Sequence, residues 1–135
     1  MQIFPRSPSG WTIYVLGALA LAAGVLGLVS PSTQLGMMGF ERVAARQAGD
    51  HTLAVLAITS LAAVNTATLY MVAAIKEWPG FLAWAILARL VMGAGLALQV
   101  LLGVGPIAFV GAAAWEVAGA AIIAAVGIWD RHRAA

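Results

Sequence analysis

The stretch FLAWAILARLVMGAGLALQVLL, residues 81–102, decides the fold. It is apolar from end to end, contains no proline, carries one charge, Arg89, and is long enough to cross about 30 Å of hydrocarbon as a helix. Backbone groups in lipid must be satisfied within the protein, so a run this long is a helix rather than a barrel strand. Working outward, three more windows of the same kind occupy 11–29, 51–75 and 107–129. All five prolines, Pro5, Pro8, Pro31, Pro79 and Pro106, lie outside the four windows. The expected fold is all-α: a single integral membrane domain over 1–135, built as a four-transmembrane-helix bundle with an outer loop at 30–50.

Composition agrees. Of 135 residues 63% are hydrophobic and 9% charged, against about a quarter charged in soluble domains. The four windows use nearly the whole chain and leave no room for a soluble catalytic domain. Arg6 ahead of the first window gives it the flavour of a signal peptide, but its length and the lack of a small-x-small cleavage site before Pro31 predict a retained anchor. No cysteine is present, which excludes thiolate catalysis, disulfide exchange and Cys-ligated metals. His51 and His132 fall at helix ends, which argues against a histidine metal centre. No metal and no cofactor are expected. A dispersed net charge of +2 gives no basis for nucleic-acid binding.

Charge instead sets orientation. The N-terminal tail, the second connection and the C-terminal tail share one side and collect Arg6, Lys76, Arg131 and Arg133, whereas the other side holds Arg42 and Arg46. Positive residues favour the cytoplasm, so both termini are expected inside, with Trp11, Trp78 and Trp129 anchoring that interface. The 30–50 connection carries Met37, Met38 and Phe40 followed by Glu41, Arg42 and Arg46. This suits a short surface helix, either a lid over the bundle or an ordinary loop with an apolar foot in the headgroups. The connections at 76–80 and 103–106 are tight and predict antiparallel packing of the helices they join.

Small residues mark the faces that meet. Gly17, Gly24 and Gly27 do so in the first window, Ala85, Arg89 and Gly93 in the third, and Ala112, Glu116, Ala120 and Ala124 in the fourth, so both buried charges are expected to point inward. At 1.5 Å per residue, Arg89 lies about 15 Å from the turn at Trp78 and Pro79, and Asn65 about 19 Å. Glu116 lies about 19 Å from the opposite turn at Gly105. Thr66 and Tyr70 share a face of the second window at similar depth, Trp115 adjoins Glu116, and Gln99 sits nearer the outer side as a candidate entrance residue. A charge at the bilayer centre costs about 2.5–3.5 kcal/mol on insertion scales, so an acid and a base at one depth imply pairing.

Beside Arg89 the Glu116 carboxylate stays ionised, and parted from it in a dry pocket it would hold a proton. Glu116 as acid or base, Arg89 steadying negative charge, and Asn65, Thr66, Tyr70, Trp115 and Gln99 around a ligand would serve acid-base chemistry, of isomerase or cyclase type, on a lipidic or isoprenoid-like molecule. The same constellation would serve a proton-coupled small-molecule transporter. It would equally serve a non-catalytic subunit or scaffold in which the polar residues tie helices in register. Expected partners are the lipid bilayer and an apolar small molecule, with a second copy or a larger membrane complex left open.

Gly27-Leu28-Val29-Ser30-Pro31 closing the first helix, Gly39-Phe40 in the loop, Arg46-Gln47-Ala48-Gly49 entering the second helix, and one charge in each of the last two helices resemble the DoxX-like superfamily of small four-helix bacterial membrane proteins. The resemblance spans most of the chain and implies a fold more than an activity. Small multidrug carriers also have four helices. Their essential Glu lies in the first helix, which here has no acid.

Overall fold

Ser7 and Pro8 start the first helix. The Ser7 hydroxyl accepts the Gly10 N–H at 3.1 Å, and Pro8 occupies a position where its missing N–H leaves nothing unsatisfied. The computed structural model describes residues 3–41 and 47–134 and contains α1 (Pro8–Val29), α2 (Pro31–Met37), α3 (Thr52–Lys76), α4 (Phe81–Leu101) and α5 (Phe109–Ala134). The four long helices are each long and apolar enough to cross a membrane, and among the described residues no strand occurs. The protein is an all-helical, four-span membrane bundle. Side chains such as Val15 and Leu19 on α1, Val55 and Ile58 on α3, Leu87 and Val91 on α4, and Ile122 and Ile128 on α5 face outward. Such a sleeve would be a liability in water and is the solvated face in lipid.

The helices form two tight pairs, α1 with α3 and α4 with α5, joined chiefly where α1 meets α5. Glycine makes the first pair close. A Cβ at Gly17 would stand 3.1 Å from the Tyr70 Cβ and 3.2 Å from the Ala67 carbonyl oxygen, and one at Gly24 would stand 3.0 Å from the Ser60 carbonyl oxygen. Backbones this near gain dispersion contacts that lipid tails cannot supply. In the second pair, Gly93 brings α4 to within 3.3 Å of the Ala113 carbonyl oxygen, measured from the Cβ it lacks.

The tight turn at 76–80 does not press α3 against α4. These helices hardly touch, because α3 is drawn onto α1 and α4 onto α5. Near the turn the rings of Tyr70, Phe81 and Trp84 span the gap, with centroids 5.3 Å (Tyr70 to Phe81) and 5.8 Å (Tyr70 to Trp84) apart. Glu77 ends α3 in the left-handed region (φ 49°), where the Trp78 N–H reaches back to the Ala73 carbonyl at 3.1 Å.

That turn also holds the start of α1. The Glu77 carboxylate accepts the N–H groups of Arg6 (3.0 Å) and Ser7 (2.8 Å), and Asp130 of α5 accepts the Ser9 N–H at 2.9 Å. The N-terminal segment, the 76–80 turn and the end of α5 therefore share one end of the bundle. Trp11 stacks on Phe4 at this end, and Trp129 lies 3.8 Å below the Arg133 guanidinium. At the other end Leu35 of α2 is buried and Phe40 packs edge-on against Phe109. The helix in the 30–50 connection thus runs from Pro31 to Met37 and ends before Gly39 (φ 82°), so that of the described residues whose pattern suggested it, it takes in Met37 but not Phe40 or Glu41. Arg42 and Arg46 lie outside the described residues.

The inward face of α5 also differs from the four-residue stripe. Ala112 is exposed and Ala124 half-buried, whereas Phe109, Ala113, Ala120 and Ile123 are buried. A strict four-residue step overshoots the helical turn by about 40° each time, so only part of such a stripe stays on one face.

Candidate functional site

Ala85, Arg89 and Gly93 are the buried residues of α4 and lie one turn apart. This stripe faces α5, where Gly119 leaves room for the Arg89 side chain: a Cβ at 119 would fall 2.6 Å from Nη1. Held there, Nη1 donates to Glu116 Oε2 at 3.0 Å, with side-chain exposures of 8% for Arg89 and 22% for Glu116. The guanidinium carbon lies 5.9 Å from the Tyr70 ring centroid, a cation–π contact reaching across from α3. The Arg89 Nε–H is buried and has no acceptor.

The pair forms part of the wall of a cavity of about 440 Å³ between the two helix pairs. Its lining comes from Leu16 and Ala20 of α1, Thr59, Ala62, Ala63, Thr66, Ala67 and Tyr70 of α3, Trp84, Ala88, Arg89 and Met92 of α4, and Glu116 of α5. Apolar walls with a few convergent polar groups are the usual make-up of small-molecule sites, and the volume lies within their usual range. Thr59 contributes little polarity, since its hydroxyl donates to the Leu56 carbonyl at 2.9 Å. Exposed Thr59, Ala62, Thr66, Trp84 and Met92 flank the gap between α3 and α4, so the cavity opens sideways toward the acyl chains.

Of the residues singled out from sequence, Arg89, Glu116, Tyr70 and Thr66 meet here. Asn65, Trp115 and Gln99 do not line the cavity. Asn65 has the right depth but lies about 100° round α3 from Thr66, on an exposed flank. Trp115 is likewise exposed on α5, one position from Glu116. Gln99 is exposed about 15 Å along α4 from Arg89, where its carbonyl accepts the Val104 and Gly105 N–H groups and closes the helix. No lining residue comes from α2, so that helix is not the cavity's lid.

Sequence reasoning missed Leu16, Thr59, Trp84 and Met92. A signal existed: Thr59, Ala63, Thr66 and Tyr70 follow helical spacing on α3, and Trp84, Ala88 and Met92 repeat every four residues on α4. Among the described residues, no three His, Cys, Asp or Glu side chains gather in a way that would hold a metal.

No family model, curated protein or solved structure matches this chain. What the site does is therefore read from its own chemistry. A carboxylate and a guanidinium share a wall with an aromatic ring and an apolar chamber, a combination able to move a proton while holding an oxygen.

Proposed function

We propose that this protein binds a lipidic or isoprenoid-like molecule between its helix pairs and catalyses an acid-base rearrangement of isomerase type, with Glu116 as the proton-transfer group. One observation carries the reading: the Arg89–Glu116 pair borders a chamber large enough for a ligand instead of being sealed in a helix seam. As a simple tie the pair would add little, because it joins α4 to α5, which already pack backbone to backbone through Gly93. Burying it is costly, and well-packed apolar residues often replace such pairs without loss.

The chemistry balances as a 1,3-proton shift. Glu116 takes a proton from the carbon between a carbonyl and a carbon–carbon double bond, the electron pair moves through the carbonyl onto its oxygen, and Arg89 stabilises the negative charge of the dienolate there. After exchange of its carboxyl proton with solvent, Glu116 returns a proton to the far carbon of that double bond as the electrons move back and the double bond shifts into conjugation with the carbonyl, leaving enzyme and net composition unchanged. The test is exchange in heavy water. Protein in nanodiscs incubated with a membrane lipid extract in D2O is expected to place deuterium in one lipid species, and Glu116→Gln to abolish it. Unaltered exchange in that variant overturns the role of Glu116.

We further infer that the end gathering Arg6, Lys76, Arg131 and Arg133 faces the cytoplasm, which supports placement in a bacterial inner membrane with both termini inside. The resemblance to DoxX-like proteins fits that location.

A further inference from the structure

The structure points to a ligand of a particular kind and route, resting on the reading of the cavity as a ligand site: we infer that an uncharged, oxygen-bearing lipid enters sideways from the bilayer through the gap between α3 and α4 and rests its oxygen against Arg89. The route follows from packing. α3 and α4 hardly touch, and the residues on both lips, Ala62 and Thr66 on one side and Met92 on the other, are exposed where the surroundings are acyl chains. An apolar molecule needs no aqueous passage to reach this chamber.

The chemistry of the polar end follows from hydrogen-bond bookkeeping. A guanidinium carries five N–H groups. Nη1 is committed to Glu116, whereas the Nε–H is buried with no acceptor. Buried donors without acceptors are rare and costly, the more so in hydrocarbon, where no water stands by. A ligand oxygen lying beside Arg89 in the chamber accepts from the guanidinium, and a turn of that side chain toward the chamber gives the Nε–H the acceptor it lacks. That oxygen is uncharged because Glu116 already neutralises Arg89 at 3.0 Å. A carboxylate or phosphate would bring a second negative charge into a wall that holds one, with no second cation among the lining residues. A ketone, quinone-type carbonyl or alcohol meets no such penalty, and its apolar body fits walls made largely of alanine, with Leu16, Met92 and the rings of Tyr70 and Trp84.

Photolabelling tests this, using two probes of equal chain length and the same diazirine position, a long-chain ketone and the matching fatty acid, offered to the full chain in nanodiscs at mildly alkaline pH. The ketone is expected to label peptides containing 59–70 and 84–92, the fatty acid about tenfold less. Because the chain has no cysteine, an Ala62→Cys, Met92→Cys double variant can be bridged across the lips with a bis-maleimide. Bridging within one chain is expected to abolish ketone labelling relative to the same variant unbridged. Arg89→Lys, which keeps the charge but loses the planar fork, is expected to lower ketone labelling at unchanged thermal stability. Equal labelling by both probes overturns the uncharged class, and labelling that survives the bridge overturns the route. Bridges forming between two chains would show that a second copy fills the gap, which also overturns it. The wild type separates this inference from the catalytic one: ketone labelling without deuterium exchange refutes catalysis and leaves the binding site standing.

Discussion

Gly119 of α5 makes the seat for the Arg89 guanidinium of α4. A side chain there would begin 2.6 Å from Nη1 and 3.1 Å from Cζ, too close for either to stay. Gly119→Ala is therefore expected to push Arg89 off Glu116, with a stability loss of about 1–3 kcal/mol typical of overpacking. Loss of deuterium exchange checks the first effect, and thermal unfolding in detergent the second. A variant as stable and active as the parent would show that the guanidinium has room elsewhere.

Removing one partner of the ion pair should cost more than removing both. Glu116→Leu alone leaves the buried Arg89 guanidinium uncompensated and is expected to destabilise by about 3–5 kcal/mol. Arg89→Leu alone, which leaves a carboxyl able to take up a proton, is expected to cost less, and the double Leu variant should regain most of the larger loss. The double variant is expected to remain inactive. Stability recovered without activity separates a functional pair from a structural one, and restored activity would rule out the proposed chemistry.

The clamp on the start of α1 is expected to be pH-sensitive. The N–H of Ser7, chiefly, and that of Arg6 hold the Glu77 carboxyl below its usual range. A depressed value means the carboxylate adds stability that is fully present above the ordinary carboxylate range. The contribution fades as pH falls through the lowered value. Thermal midpoints of the parent should drop across that acidic window, and those of Glu77→Ala should start lower and change less. Parallel curves for the two would remove Glu77 from the account.

The α1–α3 seam is expected to tolerate no bulk. Gly24→Val places side-chain atoms where Val64 Cγ2 already lies 2.9 Å from the first added carbon, with the Ser60 carbonyl beside it. The helices must separate, so a marked fall in thermal midpoint and a change in cavity labelling are expected together. Gly95→Val, where an added Cβ meets no atom within 4 Å, serves as the control.

The bundle was legible because hydropathy and proline placement are one-dimensional signals, and lipid turns them directly into spans. Depth was legible too: a rise of 1.5 Å per residue suffices to bring Arg89 and Glu116 level, and the two are bonded. Direction around each helix was harder. Asn65 shares the depth of the site and misses its face, and Trp115 beside Glu116 points outward. The gap between α3 and α4 was not legible at all, because it results from a contest. A short turn pulls these helices together, and the glycine seams of α1 and α5 pull them apart.

Glu77 and Asp130 secure the beginning of the first helix from positions translated much later. During biogenesis α1 enters the bilayer with its first amides open; the Glu77 contacts arrive with the end of α3, and the Asp130 contact only with α5. The start of α1 is thus completed in two stages, and a chain interrupted before Asp130 would leave the Ser9 amide without its carboxylate.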